Sequence, residues 1–320
     1  MKKYIVTGGA GFIGSNLTAR LLKDGAKVYV IDDLSTGFKR NVPRGAEFFK
    51  ADISNFRELK DLDIPGNIDA VFHLAAQTSG EASFDDPARD VEVNHKGTYN
   101  VLKLAQAKGC GKFIYTSSMS VYGEVKKTSG KVSEGDECRP VSYYGCNKLA
   151  SEKLIEVFAK NTGMKTVVLR LFNVYGPGQN MLNMKQGMVS IYMSYLLNSR
   201  PVHVKGGLDR FRDIVYIDDV IDALMLCESN RKLCGEILNI GTGRRTTVRR
   251  LLEVMLKAYG RKDFPAWVRC SGNTPGDVKG CFADTKKTVR LLGWEPKYDL
   301  KEGVCRMKTW AEGTIRWWQR

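Results

Sequence analysis

Short apolar runs, dense in β-branched and aromatic residues, alternate with longer stretches of helical spacing through the first half of the chain. The runs YIV (4–6), KVYVID (27–32), AEFFKAD (46–52), DAVFHLAA (69–76), KFIYTSS (112–118) and TVVLRLFNV (166–174) predict strands. Residues 12–24, 88–108 and 144–161 carry apolar positions at helical spacing and predict helices. Because the strands are nearly continuous in apolar residues, both faces of their sheet are expected to be covered. The alternation predicts an α/β fold, a doubly wound parallel sheet with helices on both sides.

After Tyr175 the rhythm changes. The stretch GPGQNMLNMKQG is polar and glycine-rich and reads as a long loop. A helix is expected at 187–198, a strand running into a helix at 210–219, and a strand at 236–241 that returns to the first sheet. Further helices are expected at 247–258, 285–292 and 301–318. The expected division is a nucleotide-binding domain over 1–173, with 214–241 returning to it, and a smaller α/β substrate-binding lobe made mainly of 174–320. No internal repeat or low-complexity linker separates the two.

The run VTGGAGFIGS (6–15) places four glycines directly after the first strand and before the first helix. Glycine costs backbone entropy, so something is expected to approach the main chain there. Gly9, Gly11 and Gly14 satisfy G-x-G-x-x-G, and Gly8 adds a second spacing with Gly11 and Gly14. Such a turn lets a pyrophosphate sit against the N–H groups of a helix N-terminus, as in a Rossmann fold. The second strand ends in VIDD, eighteen residues beyond Gly14. The Asp32 carboxylate there can accept both ribose hydroxyls and repel a 2′-phosphate, which favours NAD over NADP. Lys39 and Arg40 lie close enough to weaken that preference. Asp52, at the end of the third strand, is expected either beside the adenine or as a helix cap.

Composition narrows the partners. Of 320 residues, 43% are hydrophobic and 27% charged, as in an ordinary globular protein. No apolar run approaches the ~18 residues of a membrane span, and MKKYIVTGG reads as a first strand, not a leader. Eight scattered cysteines without a CxxC pair suggest free thiols in a reducing, cytoplasmic setting. The three histidines stand at no ligand spacing, so no metal site is expected. The net charge is +15, and residues 241–320 hold 18 Lys and Arg against 8 Asp and Glu. No nucleic-acid motif accompanies this surplus, so it reads as a solvated basic face whose field would attract small anions.

In SYYGCNK, Tyr144 and Lys148 stand four residues apart, on one face of a helix. An ammonium beside a phenol stabilises the phenolate. YTSSMSVYG places Ser118 at the carboxyl end of a strand, where side chains enter the ligand crevice of a doubly wound sheet. With these residues the chain resembles the extended short-chain dehydrogenase/reductase family, in particular its nucleotide-sugar epimerases and dehydratases. TGGAGFIGS, HLAA, SSMSVYG, SYYGCNK, LFNVYGPG, RDIVYIDD and PGDV…AD…LGW match that family in order from 7 to 294.

The resemblance implies a tightly held NAD, a nucleotide-sugar substrate, and a homodimer formed through 88–108 and 144–161. It implies catalytic roles for Ser118, Tyr144 and Lys148. Cofactor contacts are implied from Gly8, Gly11, Phe12, Ile13, Gly14, Asp32, Asp33, Asp52, Ile53, Leu74, Ala75, Ala76 and Asn94, with Tyr144 and Lys148. Asn173 matches a residue that binds the sugar nucleotide, and Arg212 one that contacts its diphosphate. Ser118 and Met119 would also face the sugar, and Ser79, Glu81 and Ser83 are candidates in the loop after the fourth strand. Cys281 matches a position that borders the sugar and limits the group at C2; packing beneath the substrate lobe is the alternative. One departure stands out: Thr274 occupies a position where many epimerases have a diphosphate-binding arginine.

The dehydratases of the family need an Asp-Glu pair after the serine, because eliminating water takes an extra acid and base. This chain has Met119 and Ser120. The reading that leads is a 4-epimerase of a UDP-hexose or UDP-N-acetylhexosamine. Alternatives are epimerisation at another carbon, a uronate or a GDP, CDP or TDP sugar, a reductase, and a non-catalytic NAD sensor.

Overall fold

The computed structural model describes residues 1–230 and 232–314. Its centre is a seven-stranded sheet of β1 (Lys3–Thr7), β2 (Lys27–Asp32), β3 (Glu47–Lys50), β4 (Ala70–His73), β5 (Phe113–Ser118), β6 (Thr166–Leu171) and β7 (Glu236–Ile240). The order is β7-β6-β5-β4-β1-β2-β3, and every neighbouring pair is parallel. The chain leaves β1 for β2 on one side and later returns to β4 on the other. The crevice above their carboxyl ends is therefore the topological switch point.

Successive residues of each strand feed opposite cores, as the two-residue period requires. Tyr4, Val6, Val28, Val30, Phe72, Ile114 and Leu169 pack on one face with Leu17 and Leu21 of α1 (Phe12–Lys23). Ile5, Tyr29, Ile31, Val71, Phe113, Tyr115 and Val168 pack on the other with Val101, Leu102 and Ala105 of α2 (Gly97–Ala107) and Ile155 of α3 (Tyr143–Thr162). Covered faces explain why these strands read as unbroken apolar runs. A buried ion pair fastens α3 to β6: Arg170 donates to both carboxylate oxygens of Glu152, at 3.0 and 2.7 Å.

The longer remaining helices are α4 (Met188–Leu197), α5 (Ile217–Ser229), α6 (Val248–Ala258), α7 (Lys286–Leu292) and α8 (Leu300–Gly313), with short helical turns and two-stranded sheets among them. Among the described residues no helix is long and apolar enough to cross a membrane. All eight cysteines are unpaired.

Three segments differ from the sequence pattern. The expected helix 88–108 is a short helix Pro87–Asp90, a π-helical stretch Val91–Lys96 and then α2. The widened turn carries the buried Asn94, and the buried Asp90 stands just before it. The apolar run 166–174 breaks at Phe172. Asn173–Tyr175 leaves the main sheet and pairs with Ile214–Tyr216, because the Asn173 N–H finds the Asp213 carbonyl at 3.0 Å. The last helix is described as far as Gly313, and the 315–318 portion of the expected helix lies outside the described residues.

Candidate active site

A cavity of about 460 Å³ opens at the switch point, lined by residues from the glycine loop to Arg212 and Asp277. Gly8 has φ +71°, and a Cβ there would lie 2.7 Å from the Ala75 nitrogen. A Cβ on Gly14 would lie 2.1 Å from the Gly8 carbonyl oxygen, so only glycine lets the helix start this close to the turn. The N-terminus of α1 has no side-chain cap and no acidic residue in its first turn. Its free N–H groups and dipole are therefore available to an anion.

Asp32 accepts from the Ala10 and Leu34 N–H groups at 3.0 and 2.8 Å and lines the same cavity. Burial pushes its carboxyl up, and those two N–H bonds pull it back. Lys39 lies over the Phe48 ring at 3.2 Å and Arg40 over Phe38 at 4.2 Å, so aromatic faces engage both cations. The bare turn, the uncapped helix and the carboxylate one strand away together fit a dinucleotide.

Ser118, Tyr144 and Lys148 meet at the middle of the cavity. β5 ends at Ser118, and a tight turn over Met119–Val121 follows. Ser142 caps α3 by accepting from the Gly145 N–H at 3.1 Å. A Cβ on Gly145 would stand 2.6 Å from the Ser120 carbonyl oxygen, so the missing side chain lets the helix press on this turn. Tyr144 is thereby brought to Ser118. Burial pushes the Tyr144 phenol up to about 12, and a hydrogen bond with Ser118 pulls against that rise. Burial likewise pushes the Lys148 ammonium down to about 7, opposed by Asp90 and Glu152. His73, buried between the hydroxyls of Thr7 and Thr98 at 2.7 and 3.0 Å, is held at about 3, chiefly by burial and then by Lys148.

Asn173, Arg212 and Glu81 line the rest of the cavity. Asn173 donates to the Asp213 carbonyl at 3.1 Å and touches the Met119 sulfur at 3.3 Å. Arg212 lines the cavity and is paired with Asp277, which it shares with Arg210. Its sequence neighbour Asp213 is fully buried instead, accepting from Thr242, Gly243 and Ala283. Glu81 lines the cavity and pairs with Lys205 at 2.7 Å.

Of the expected cofactor contacts, Gly8, Gly11, Phe12, Ile13, Gly14, Asp32, Asp33, Ile53, Leu74, Ala75 and Ala76 line the cavity. Five expected residues stand elsewhere. Asp52 is one layer away, paired with Arg89 at 2.9 Å and accepting from the Ser54 N–H at 2.8 Å. It does not cap the following helix either; Asn55 does. Asn94 is buried behind the wall, donating to the Gln77 carbonyl at 2.9 Å. The Ser79 hydroxyl is spent on the Lys185 carbonyl at 2.6 Å, and that of Ser83 on Gly80 at 2.7 Å. Cys281 is fully buried with Val121, Tyr122, Val132, Phe172 and Ala283; of that cluster Phe172 lines the cavity, as does Met119 packed against it, and Cys281 does not. Its thiol is pushed up to about 12 by burial, offset by Arg212. The sequence reading also missed Asp277 and Arg210, although RFR and PGD were visible; only folding brings them together.

Comparison with known proteins follows the same line. Residues 4–241 match the model of the NAD dependent epimerase/dehydratase family. A putative UDP-glucose 4-epimerase of Methanocaldococcus jannaschii is 34% identical, over 98% of this chain and 99% of that protein. A UDP-glucuronate 4-epimerase of Thermodesulfobacterium geofontis is 30% identical, over 98% of each chain. The crystal structure of a UDP-glucose 4-epimerase from Thermotoga maritima with UDP-glucose superposes with a TM-score of 0.91. It is 36% identical, over 98% of this chain and 99% of that one. Fold, cavity and sequence agree: this chain belongs to the NAD-dependent epimerase/dehydratase family and is an NAD-dependent nucleotide-sugar epimerase.

Proposed function

We propose that this enzyme is a 4-epimerase of UDP-hexoses, with Ser118, Tyr144 and Lys148 as its catalytic residues. The observation that carries this reading is their convergence in one cavity with the glycine loop, beside a turn that offers only Met119 and Ser120. An elimination would need an acid and a base in that turn. The relatives named above are a putative UDP-glucose 4-epimerase, a UDP-glucuronate 4-epimerase and a UDP-glucose 4-epimerase, which supports the reading.

When bound, NAD supplies the hydride acceptor and the stored hydride for the return step. The Tyr144 oxygen accepts the proton of the sugar 4-hydroxyl as C4 is oxidised. Ser118 donates a hydrogen bond to that oxygen position, and Lys148, tied to the Thr116 carbonyl at 2.9 Å, offsets the negative charge of the Tyr144 phenolate that takes this proton. The 4-keto sugar turns within the crevice, and Tyr144 returns the proton to the other epimer. Arg212 holds the diphosphate during the turn by charge-assisted bonds, and Asn173 faces the sugar nucleotide.

The active form is a dimer with a second copy of this chain. Tyr99 on α2 and Val157 on α3 are 43% and 56% exposed, and the Tyr99 ring lies edge-on to Phe158 at 6.5 Å. An apolar face shared by two adjacent helices favours self-association. The free thiols fit a reducing, cytoplasmic setting.

The test is to incubate the purified protein, with no added cofactor, with UDP-glucose, UDP-N-acetylglucosamine, UDP-glucuronate and dTDP-glucose, and to resolve the products. Conversion of UDP-glucose to UDP-galactose without net nicotinamide consumption is the expected result. Steady consumption of added NADH would identify a reductase instead.

A further inference from the structure

Asp90 is fully buried at the end of the short helix Pro87–Asp90. One carboxylate oxygen accepts from the Gln77 amide at 2.7 Å and the other from the Asn147 amide at 2.7 Å. Among the described residues no lysine, arginine or histidine forms an ion pair with it. Lys148, the residue after Asn147, is 3% exposed and donates to one carbonyl, that of Thr116. It too has no ion-pair partner among the described residues. Two opposite charges are thus buried, linked through Asn147 next to the lysine, each holding only neutral groups. A buried charge without a counter-charge is strongly unfavourable.

The other carboxylate near Lys148 is Glu152, one turn along α3. It is already neutralised: Arg170 grips both its oxygens, and the Ser117 hydroxyl donates to it at 2.5 Å. The remaining titratable groups facing Lys148 supply no carboxylate. Tyr115 presents its ring at 4.7 Å, Tyr144 presents its ring at 5.9 Å, and His73 is kept neutral. That leaves Asp90.

We propose that Asp90 is the buried counter-ion of Lys148, a positioning residue that keeps the lysine an ammonium and sets the protonation of the Tyr144–Lys148 pair through Asn147. The electrostatics run the same way. After burial, Asp90 is the first influence that raises Lys148, and its charge also raises Tyr144. Removing the charge therefore lowers both groups together, as in any coupled pair facing one field.

Asp90→Asn isolates the charge. The Gln77 amide is fixed, since it also donates to the Ser79 carbonyl at 2.9 Å and accepts from the Ser79 N–H at 2.6 Å. Asn147 makes one side-chain bond and is free to turn its oxygen toward the new amide. Both hydrogen bonds survive, and only the charge is lost.

The first arm of the test rests on the proposed 4-epimerase reaction. In D90N both limbs of the pH profile of kcat move to lower pH by about one unit, the lower end of a neighbouring-charge effect, while bound NAD is retained. A profile reduced in height but unmoved in pH overturns the proposal. The second arm is thermal melting of wild type, D90N, K148M and the double variant, which requires no reaction. Each single variant strands one buried charge and melts lower, and the double variant recovers part of the loss. Additive losses overturn the proposal. If D90N does not fold, a folded double variant supports it and an unfolded one overturns it. A wild-type protein inactive on every sugar nucleotide would remove the reaction but leave this second arm intact.

Discussion

Lys148 of α3 reaches across to β5 and donates to the carbonyl of Thr116 at 2.9 Å. This single bond ties the first turns of the helix, and Tyr144 with them, to the strand end that presents Ser118. The helix spacing aligns Tyr144 and Lys148, and the strand contact fixes where both point.

Tyr144→Phe is expected to fold, keep its bound NAD and lose about 10²–10⁴ in kcat, the usual weight of one general acid–base group. Only the ionisable oxygen is removed, and the ring keeps its place in the buried wall. Steady-state kinetics and the absorbance of released cofactor check both halves.

Arg212→Gln is expected to raise KM for the nucleotide sugar with little change in kcat. A charge-assisted hydrogen bond contributes about 1.5–3 kcal/mol, which corresponds to roughly 10- to 150-fold in KM. Asp277 would remain paired with Arg210, so the wall itself should hold. A large fall in kcat at unchanged KM would assign Arg212 a different role.

Cys281→Tyr is expected to act as a packing lesion. The thiol is fully buried among Val121, Tyr122 and Phe172. Forcing a ring into that cluster costs about 1–3 kcal/mol or more. Activity on N-acetylated and plain hexose nucleotides should fall together, with a lowered melting temperature. Selective loss of the N-acetylated substrate would instead return Cys281 to the edge of the sugar.

His73 gives a pH signature in stability. Burial depresses its folded-state value to about 3, below the ordinary 6.5 of the unfolded chain. The unfolded state therefore binds the extra proton between those values. Stability from the neutral imidazole is complete above about pH 6.5 and is lost as pH falls toward 3. Between pH 6.5 and 5 the melting temperature of wild type should fall more steeply than that of His73→Gln, which has nothing to protonate. Parallel slopes would show that other groups control the acid limb.

Much of this was legible because it is local. Seven strands and the long helices follow from periods of two and 3.6 residues, and covered faces make the strands continuous in apolar residues. Gly8 to Gly14 and Asp32 declare a dinucleotide turn within one β-α-β unit. Tyr144 and Lys148 are four residues apart and share a helix face in any fold that keeps the helix. The elements that departed from the pattern did so for partners outside their own segments. Phe172 ends β6 because Asn173 pairs toward Asp213, and an apolar run carries no mark of that.

What only the tertiary structure decided is how each polar group is satisfied. A serine in a cavity loop looks like a substrate contact until Lys185, 106 residues away, takes its hydroxyl. Arg212 stands next to Asp213 in the sequence. Folding instead gives Arg212 the distant Asp277, and gives Asp213 four hydrogen bonds from Thr242, Gly243 and Ala283. Cys281 and Asp90 were fixed in the same way, one by a cluster drawn from several segments, the other by the amides of Gln77 and Asn147. Periodicity along a chain reports which side of an element faces inward. It does not report which charge or hydroxyl waits there, because burial removes water as a partner and the replacement comes from wherever the fold brings the chain back.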